Sequence, residues 1–340
     1  MQVPSYNNAW DGSPDENTKK AGHGTAVASV IAAVANNGLG TIGVCPRCSI
    51  MAVRVSTPAG SFYSDRIAAG IIWAANHGAD VINVSISAAY NESSTSVDRA
   101  ITYAESVKDA VVVLASGNGV GNNGKGTDDP RANSYATHNP EAIRVADAET
   151  PDNGVTYRLD PISNYGQRLA DVSAFASWVP VDSIKFADER AVGATGTSIA
   201  AGVVSGIAGL VRSSYPWLTH AQVKRVIVKS CSQLGFEGVP CGGIVSAARA
   251  LAVAAKVPDP VNVRVKIRGI GKVAVSGQKT CRSSCLYNLV AGTQQLHATP
   301  TSRKWRFVGW RGGTSSKNPR LSLNIEEPEV LTAVFVRRTK

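Results

Sequence analysis

The chain has 340 residues, is 44% hydrophobic with few aromatics, and carries a formal charge of +10, enough length for one or two buried cores. No apolar run approaches the ~18 residues of a membrane-spanning helix, and the first twenty residues hold no apolar signal-peptide core, so the protein is cytosolic or its true N-terminus lies upstream. The charge is uneven: residues 257–340 hold 15 Lys and Arg against 4 Asp and Glu, while residues 1–256 hold 20 against 21.

In chain order, "AGHGTAVASVIAAV" (21–34) predicts a helix entered at His23, with Val27, Val30, Ile31 and Val34 as its apolar face. "SIMAVRVS" (49–56) reads as a strand. "SDRIAAGIIWAANHGA" (64–79) reads as a helix closed by Gly78, with His77 in its last turn. "DVINVSIS" (80–87) is the next strand, followed by a helix over 96–109, the strand "AVVVLAS" (110–116) and another at 142–149. Alternating strands and helices with continuous apolar strands predict an α/β fold, a largely parallel sheet with helices on both faces.

A long helix is expected from about Thr197 to Ser213, with Ile199, Val203, Gly206 and Leu210 on one face. Thr219 and Gln222 form a capping box opening a further helix, and another is expected over 245–255. "KVPDPVN" (256–262) reads as a linker between a first domain, 1–256, and a small all-β domain, 257–340, whose candidate strands are 263–267, 272–276, 294–300, 306–310, 321–325 and 331–336. That basic module could bind an anionic cell-surface polymer, or present a merely solvated surface.

The six cysteines fall in local pairs: Cys45/Cys48, Cys231/Cys241 and Cys281/Cys285. Even number and local pairing suggest disulfides in an oxidising compartment. Zinc binding and a redox Cys-x-x-Cys are the competing readings.

Three stretches carry chemistry: His23-Gly24-Thr25 at a helix entrance, Ser116-Gly117-Asn118-Gly119 at the end of a buried strand, and Gly196-Thr197-Ser198 at the start of the long helix. A serine hydroxyl needs a neighbouring base to attack, and neutral imidazole is a base suited to neutral pH. The Ser198 backbone N–H and the Asn118 amide are natural donors to an oxyanion. His77, His138, His220 and His297 lack such surroundings and read as ordinary.

Together these motifs resemble the subtilisin-like serine peptidases over about Asn7 to Ala255. The resemblance implies that His23 is the base, Ser198 the nucleophile and Asn118 the oxyanion donor. It also makes Ser85, Ile86 and Ser87 an edge that pairs with a bound peptide, and Ser116 and Gly117 further substrate-binding residues. "SNYG" (163–166) and "GVCPRCSIMAVRV" (43–55) are typical context. The implied function is a secreted or surface serine endopeptidase acting on peptides or proteins, with no nucleic acid partner and no cofactor. Calcium is not assignable: Asp11, Asp15 and Glu16 offer oxygens, as does any acidic solvated loop.

The chain departs from the family in its acid. The family's aspartate sits in a D-[ST]-G motif about thirty residues before the histidine, and only 22 residues precede His23. Asp11 is the weak candidate within the sequence, and an N-terminally truncated chain is the preferred reading. Gly202 stands where the family has proline, and Ser87 where it often has glycine. The tail, with "CRSSC", "FVGWRGG" and "LTAVF", resembles internalin-type bacterial surface modules. Two other readings stand beside the peptidase: an inactive surface-binding protein with a basic β module, and a sedolisin-like acid peptidase.

Overall fold

The computed structural model describes residues 6–7, 22–57, 61–119, 123–152, 156–182 and 192–339. They divide into two compact units, Met1–Ala255 and Lys256–Lys340.

In the first unit the elements follow as β1 (Tyr6–Asn7), α1 (His23–Ala32), β2 (Val53–Arg54), α2 (Ser64–Asn76), β3 (Val81–Val84), α3 (Thr95–Ser106), β4 (Val111–Ala115), α4 (Ser134–His138), β5 (Ile143–Glu149), β6 (Arg158–Leu159) and β7 (Val172–Phe175). β8 (Val179–Val181), β9 (Val192–Ala194), α5 (Thr197–Ser214), α6 (His220–Lys229) and α7 (Ala247–Ala254) complete it. β3, β4, β5 and β7 pair in parallel, with the short β6 antiparallel to β5. β1 and β2 form a separate parallel pair.

Every residue of β4 is buried, as a strand covered on both faces requires. Its side chains alternate: Val112 and Leu114 join Ile67, Ile71, Val97 and Ile101 of α2 and α3, while α5 packs against β3, β4, β5 and β7. α5 is therefore buried nearly all round. The expected single face is corrected: Val204, Ile207 and Val211 are fully buried, while Val203 and Leu210 are only half-buried. In α1, Val27 and Val30 are buried, but the helix ends at Ala32 and Val34 is 59% exposed.

Local signals hold where the chain states them strongly. α2 ends before Gly78 at φ 82°, and the Thr219–Gln222 capping box opens α6. The strand expected at 49–56 contracts to Val53–Arg54, the two residues that find a partner in β1. All three cysteine pairs are disulfides, Cys45–Cys48, Cys231–Cys241 and Cys281–Cys285, so in this structure none of these sulfurs is a free thiolate for zinc. The first lies against Gly209 of α5, where a side chain would meet Cys48 Sγ at 2.8 Å.

The second unit holds β10 (Pro260–Arg268), β11 (Gly271–Val275), β12 (Ser284–Val290), β13 (Gly292–Pro300), β14 (Trp305–Gly312), β15 (Arg320–Ile325) and β16 (Glu329–Arg337). One sheet runs β12-β10-β16-β14 and the other β11-β13-β15. Val263, Val265, Tyr287, Leu296, Trp310, Leu331 and Phe335 fill one shared core. The expected linker is shorter than read, because β10 begins at Pro260, the first position of a strand being one that proline tolerates.

Candidate active site

His23 is the first residue of α1, after Gly22 in the left-handed region at φ 68°, and it is exposed. Ser198 is the second residue of α5 and half-buried. The two helices touch through glycine. A methyl group on Gly202 would stand 3.4 Å from the Val27 carbonyl oxygen, and one on Gly206 would stand 3.3 Å from that of Ile31. Each step is one turn on both helices, so they run in the same direction in matched register. One turn further back, the paired positions are 23 and 198. At Gly202, where the family has proline, a Cβ would make only ordinary van der Waals contact, so Gly206 is the glycine this approach requires.

A Cβ on Gly206 would also lie 2.6 Å from Val44 Cβ. Gly206→Ala is expected to cost about 1–3 kcal/mol of stability by overpacking, read from the midpoint of chemical denaturation; an unchanged midpoint would show that this contact yields freely.

Ser198 is locked to the segment following β3. Its Oγ donates to the Ser85 carbonyl oxygen at 3.2 Å, and Ser85 Oγ donates to the Ser198 carbonyl oxygen at 2.8 Å. Behind them Asn83 Nδ2 donates to Ser85 Oγ at 2.9 Å, and Ser205 Oγ donates to Asn83 Oδ1 at 3.0 Å. The edge at Ser85, Ile86 and Ser87 is thereby fixed against the helix that carries the hydroxyl.

Asn118 is exposed at the end of β4. Its Oδ1 accepts from Thr197 N at 3.0 Å and from Thr197 Oγ1 at 2.9 Å. Both donors claim the oxygen, which sets the amide orientation and leaves Nδ2 as the available end. Nδ2 lies beside Gly196, where a Cβ would stand 3.1 Å away; Gly196 has φ 129° and suits no other residue on both counts. The Ser198 N–H lies in the first turn of α5, where backbone donors lack intrahelical partners.

The turn 116–119 is held by a residue that sequence reasoning left as context. Asn164 is 0% exposed. Its Nδ2 donates to the Ser116 carbonyl oxygen at 3.0 Å, its Oδ1 accepts from Gly119 N at 3.2 Å, and its backbone N–H donates to the Gly117 carbonyl oxygen at 2.8 Å. Ser116 Oγ donates back to the Asn164 carbonyl oxygen at 2.7 Å. Gly117, at φ 101°, faces both Asn164 and Ser87: a Cβ there would lie 2.6 Å from Asn164 Nδ2 and 3.6 Å from Ser87 Cβ. Ser87 and Gly117 therefore face each other across the gap between the segments that follow β3 and β4. Asn133 ties the same walls, with Oδ1 accepting from Ala88 N at 3.2 Å and Nδ2 donating to the Ala115 carbonyl oxygen at 2.8 Å.

Asp147, on β5, is a second residue the sequence did not announce. It is 0% exposed, and neither carboxyl oxygen closes a hydrogen bond. Burial, with the Asp160 carboxylate adding to it, pushes its pKa up to about 8; the N–H groups of Gly196, Ala176 and Ala148 face it and offset this only in part.

Asp11, the weak candidate for the relay acid, and Asp15 and Glu16, the candidate calcium oxygens, lie outside the described residues. Among the described residues no group of three or more His, Cys, Asp or Glu could hold a metal ion, and no helix is long and apolar enough to cross a membrane. His138 and His220 take carboxylate partners away from these motifs, Asp98 at 3.0 Å and Asp109 at 2.8 Å.

Residues 2–243 match the Subtilase family of S8 peptidases. Thermitase of Thermoactinomyces vulgaris is 35% identical over 206 residues, 60% of this chain and 66% of its own length, so the chain spans just under two thirds of that relative. Among solved structures, a protease of Pseudoalteromonas arctica superposes with a TM-score of 0.58 at 30% identity, covering 69% of this chain and 71% of its own. Fervidolysin of Fervidobacterium pennivorans superposes with a TM-score of 0.59 over 91% of this chain and 52% of its own, and at 20% identity it shares the fold. A nucleophile motif, a histidine motif and an asparagine turn on one α/β scaffold agree with that match: the chain belongs to the Subtilase family.

Proposed function

We propose that the chain is a serine endopeptidase. Ser198 Oγ attacks a peptide carbonyl carbon, and His23 takes the hydroxyl proton. The oxyanion is held by Asn118 Nδ2 and the Ser198 N–H. When the adduct collapses, His23 gives the proton to the departing amine, and water then repeats the sequence on the acyl-serine. The substrate pairs as an extended strand with Ser85–Ser87. The observation that carries this reading is Thr197. It grips the Asn118 oxygen twice, so an outward amide donor is held one residue from the hydroxyl.

A fluorophosphonate probe on the full chain tests it: labelling should map to Ser198 and vanish in Ser198→Ala. A folded, unlabelled protein would favour the inactive surface-binding reading. Asn118→Ala should lower kcat by about 10²–10³-fold, the loss typical of one oxyanion donor, while leaving peptide KM within a few-fold; an unchanged kcat would remove Asn118 from the oxyanion site.

We place the carboxylate that orients His23 on a strand between β2 and β3. Both strands pack on α2, yet among the described residues they do not pair with each other. Such a carboxylate is worth about 10⁴-fold in kcat. We read residues 1–256 as the peptidase domain and 257–340 as an internalin-type surface module that meets an anionic polymer. The protein is then secreted or surface-held, and its three disulfides support an oxidising compartment.

A further inference from the structure

Five of the fifteen Lys and Arg of residues 257–340 share one face. In the sheet β12-β10-β16-β14, Val263, Val265, Tyr287, Leu331, Ala333 and Trp310 point into the core, so strand alternation turns Arg264, Lys266, Arg268, Arg306 and Arg311 outward. All five are exposed. Glu329 is the one acid in these four strands; it is paired with inward-facing Val263 and so points inward itself. No acid of these four strands therefore faces outward beside the five cations. The outer face of the other sheet is sparser in charge: Lys272, His297 and Arg320 lie there among Thr293, Gln295, Thr299, Ser322 and Asn324, and Gln295 Nε2 donates to Ser322 Oγ at 2.9 Å.

The cations form two rails. Arg264, Lys266 and Arg268 recur along β10 at every second residue, a spacing of about 7 Å. Arg306 and Arg311 stand on β14. Register places Lys266 beside Thr332, and Thr332 beside Arg311, so the rails lie two strand spacings apart, about 10 Å. Between them run Val330, Thr332, Val334 and Val336 of β16. Binders of single-stranded nucleic acid typically stack bases on aromatic platforms, and no outward position of the four strands is aromatic.

We propose that this face binds a linear polyphosphodiester that carries no bases, its phosphates lying along the β10 rail and its polyol carbons on the β16 ridge. The inference rests on reading the second unit as a polyanion-binding module and names where and what it binds. A phosphodiester polymer joined through a three-carbon polyol repeats its charge on the scale of the rail, and arginine matches phosphate oxygens in fork geometry.

The test is binding of soluble poly(glycerol phosphate) to the full chain, titrated over a range of salt. Three proteins are compared: the parent chain, Arg264→Gln/Lys266→Gln/Arg268→Gln on the rail, and the charge-matched control Lys272→Gln/Lys279→Gln/Arg320→Gln. The rail variant should bind at least tenfold more weakly, and its slope of log K against log salt should shrink by about 2, as three lost phosphate contacts imply. The control should change by less than threefold. Equal weakening in both variants would make the effect one of net charge and overturn the proposal. Equal or tighter binding of polyuridylate by the parent would overturn the base-free assignment. Circular dichroism checks folding, and the single variant Lys266→Gln, expected to weaken binding two- to fivefold, serves if the triple variant unfolds. Fluorophosphonate labelling of Ser198 should be the same in all folded variants, so failure here is distinguishable from failure of the peptidase reading.

Discussion

Replacing Ser198 with alanine should lower kcat by roughly 10⁶-fold, the loss that follows removal of the nucleophile from a Ser–His unit, with the fold unchanged. The side chain contributes one hydrogen bond, from Oγ to the Ser85 carbonyl oxygen, while the reciprocal bond from Ser85 Oγ to the Ser198 carbonyl oxygen survives the substitution. Stability should therefore move by only about 1 kcal/mol. His23→Ala should be nearly as damaging to kcat, and the double variant should be little worse than either single one, because the two groups act as a unit. Active-site titration and kcat with a peptide substrate check this. Additive losses would mean that the groups work independently, and the mechanism above would fall.

Replacing Asp147 with asparagine should make the protein more stable than its parent, and increasingly so as pH rises. Below about pH 4 the acid carries its proton whether the chain is folded or not, and ionisation contributes nothing. Between about 4 and 8 the unfolded chain gives up the proton while the folded chain keeps it, so parental stability falls with rising pH. Above about 8 the deficit is constant. At pH 7 it amounts to about 4 kcal/mol as an order of magnitude. The difference between variant and parent in denaturation free energy, followed from pH 4 to 9, isolates this group from others such as Glu105, which burial also pushes up to about 8. A flat difference would mean that Asp147 ionises freely. Catalysis should register the same titration. An ionised Asp147 would place a buried negative charge behind Gly196 and oppose the oxyanion, so parental kcat should fall above about pH 8 while that of Asp147→Asn holds.

Much of the first unit could be read directly, because its signals are local. The β-branched run at 110–116, the capping box at Thr219 and Gln222, and Gly78 beyond α2 each act through neighbours in the chain. What escaped depends on distant partners. Residues 49–52 have strand composition but pair with nothing described. β12 was hidden behind the spacing of Cys281 and Cys285, although Cys285, Tyr287 and Leu289 alternate inward. At the site, reactive side chains announce themselves by type, so His23, Ser198 and Asn118 stood out. Their supports did not: Asn164 looks like any turn asparagine until its bonds to Ser116, Gly117 and Gly119 are seen, and Asp147 sits in "AIRVADAE" with no sign that its carboxyl is sealed off.

The glycine contact between α1 and α5 bears on how the proposed activity would fail. Because α1 and α5 pack closely at Gly206, the gap between imidazole and hydroxyl in the proposed mechanism would be set by main-chain packing rather than by pliable side chains. Warming should leave that gap unchanged until the interior itself gives way. Loss of turnover and loss of cooperative structure should then arrive at one temperature, with no earlier, softer stage in which a folded enzyme has already stopped working.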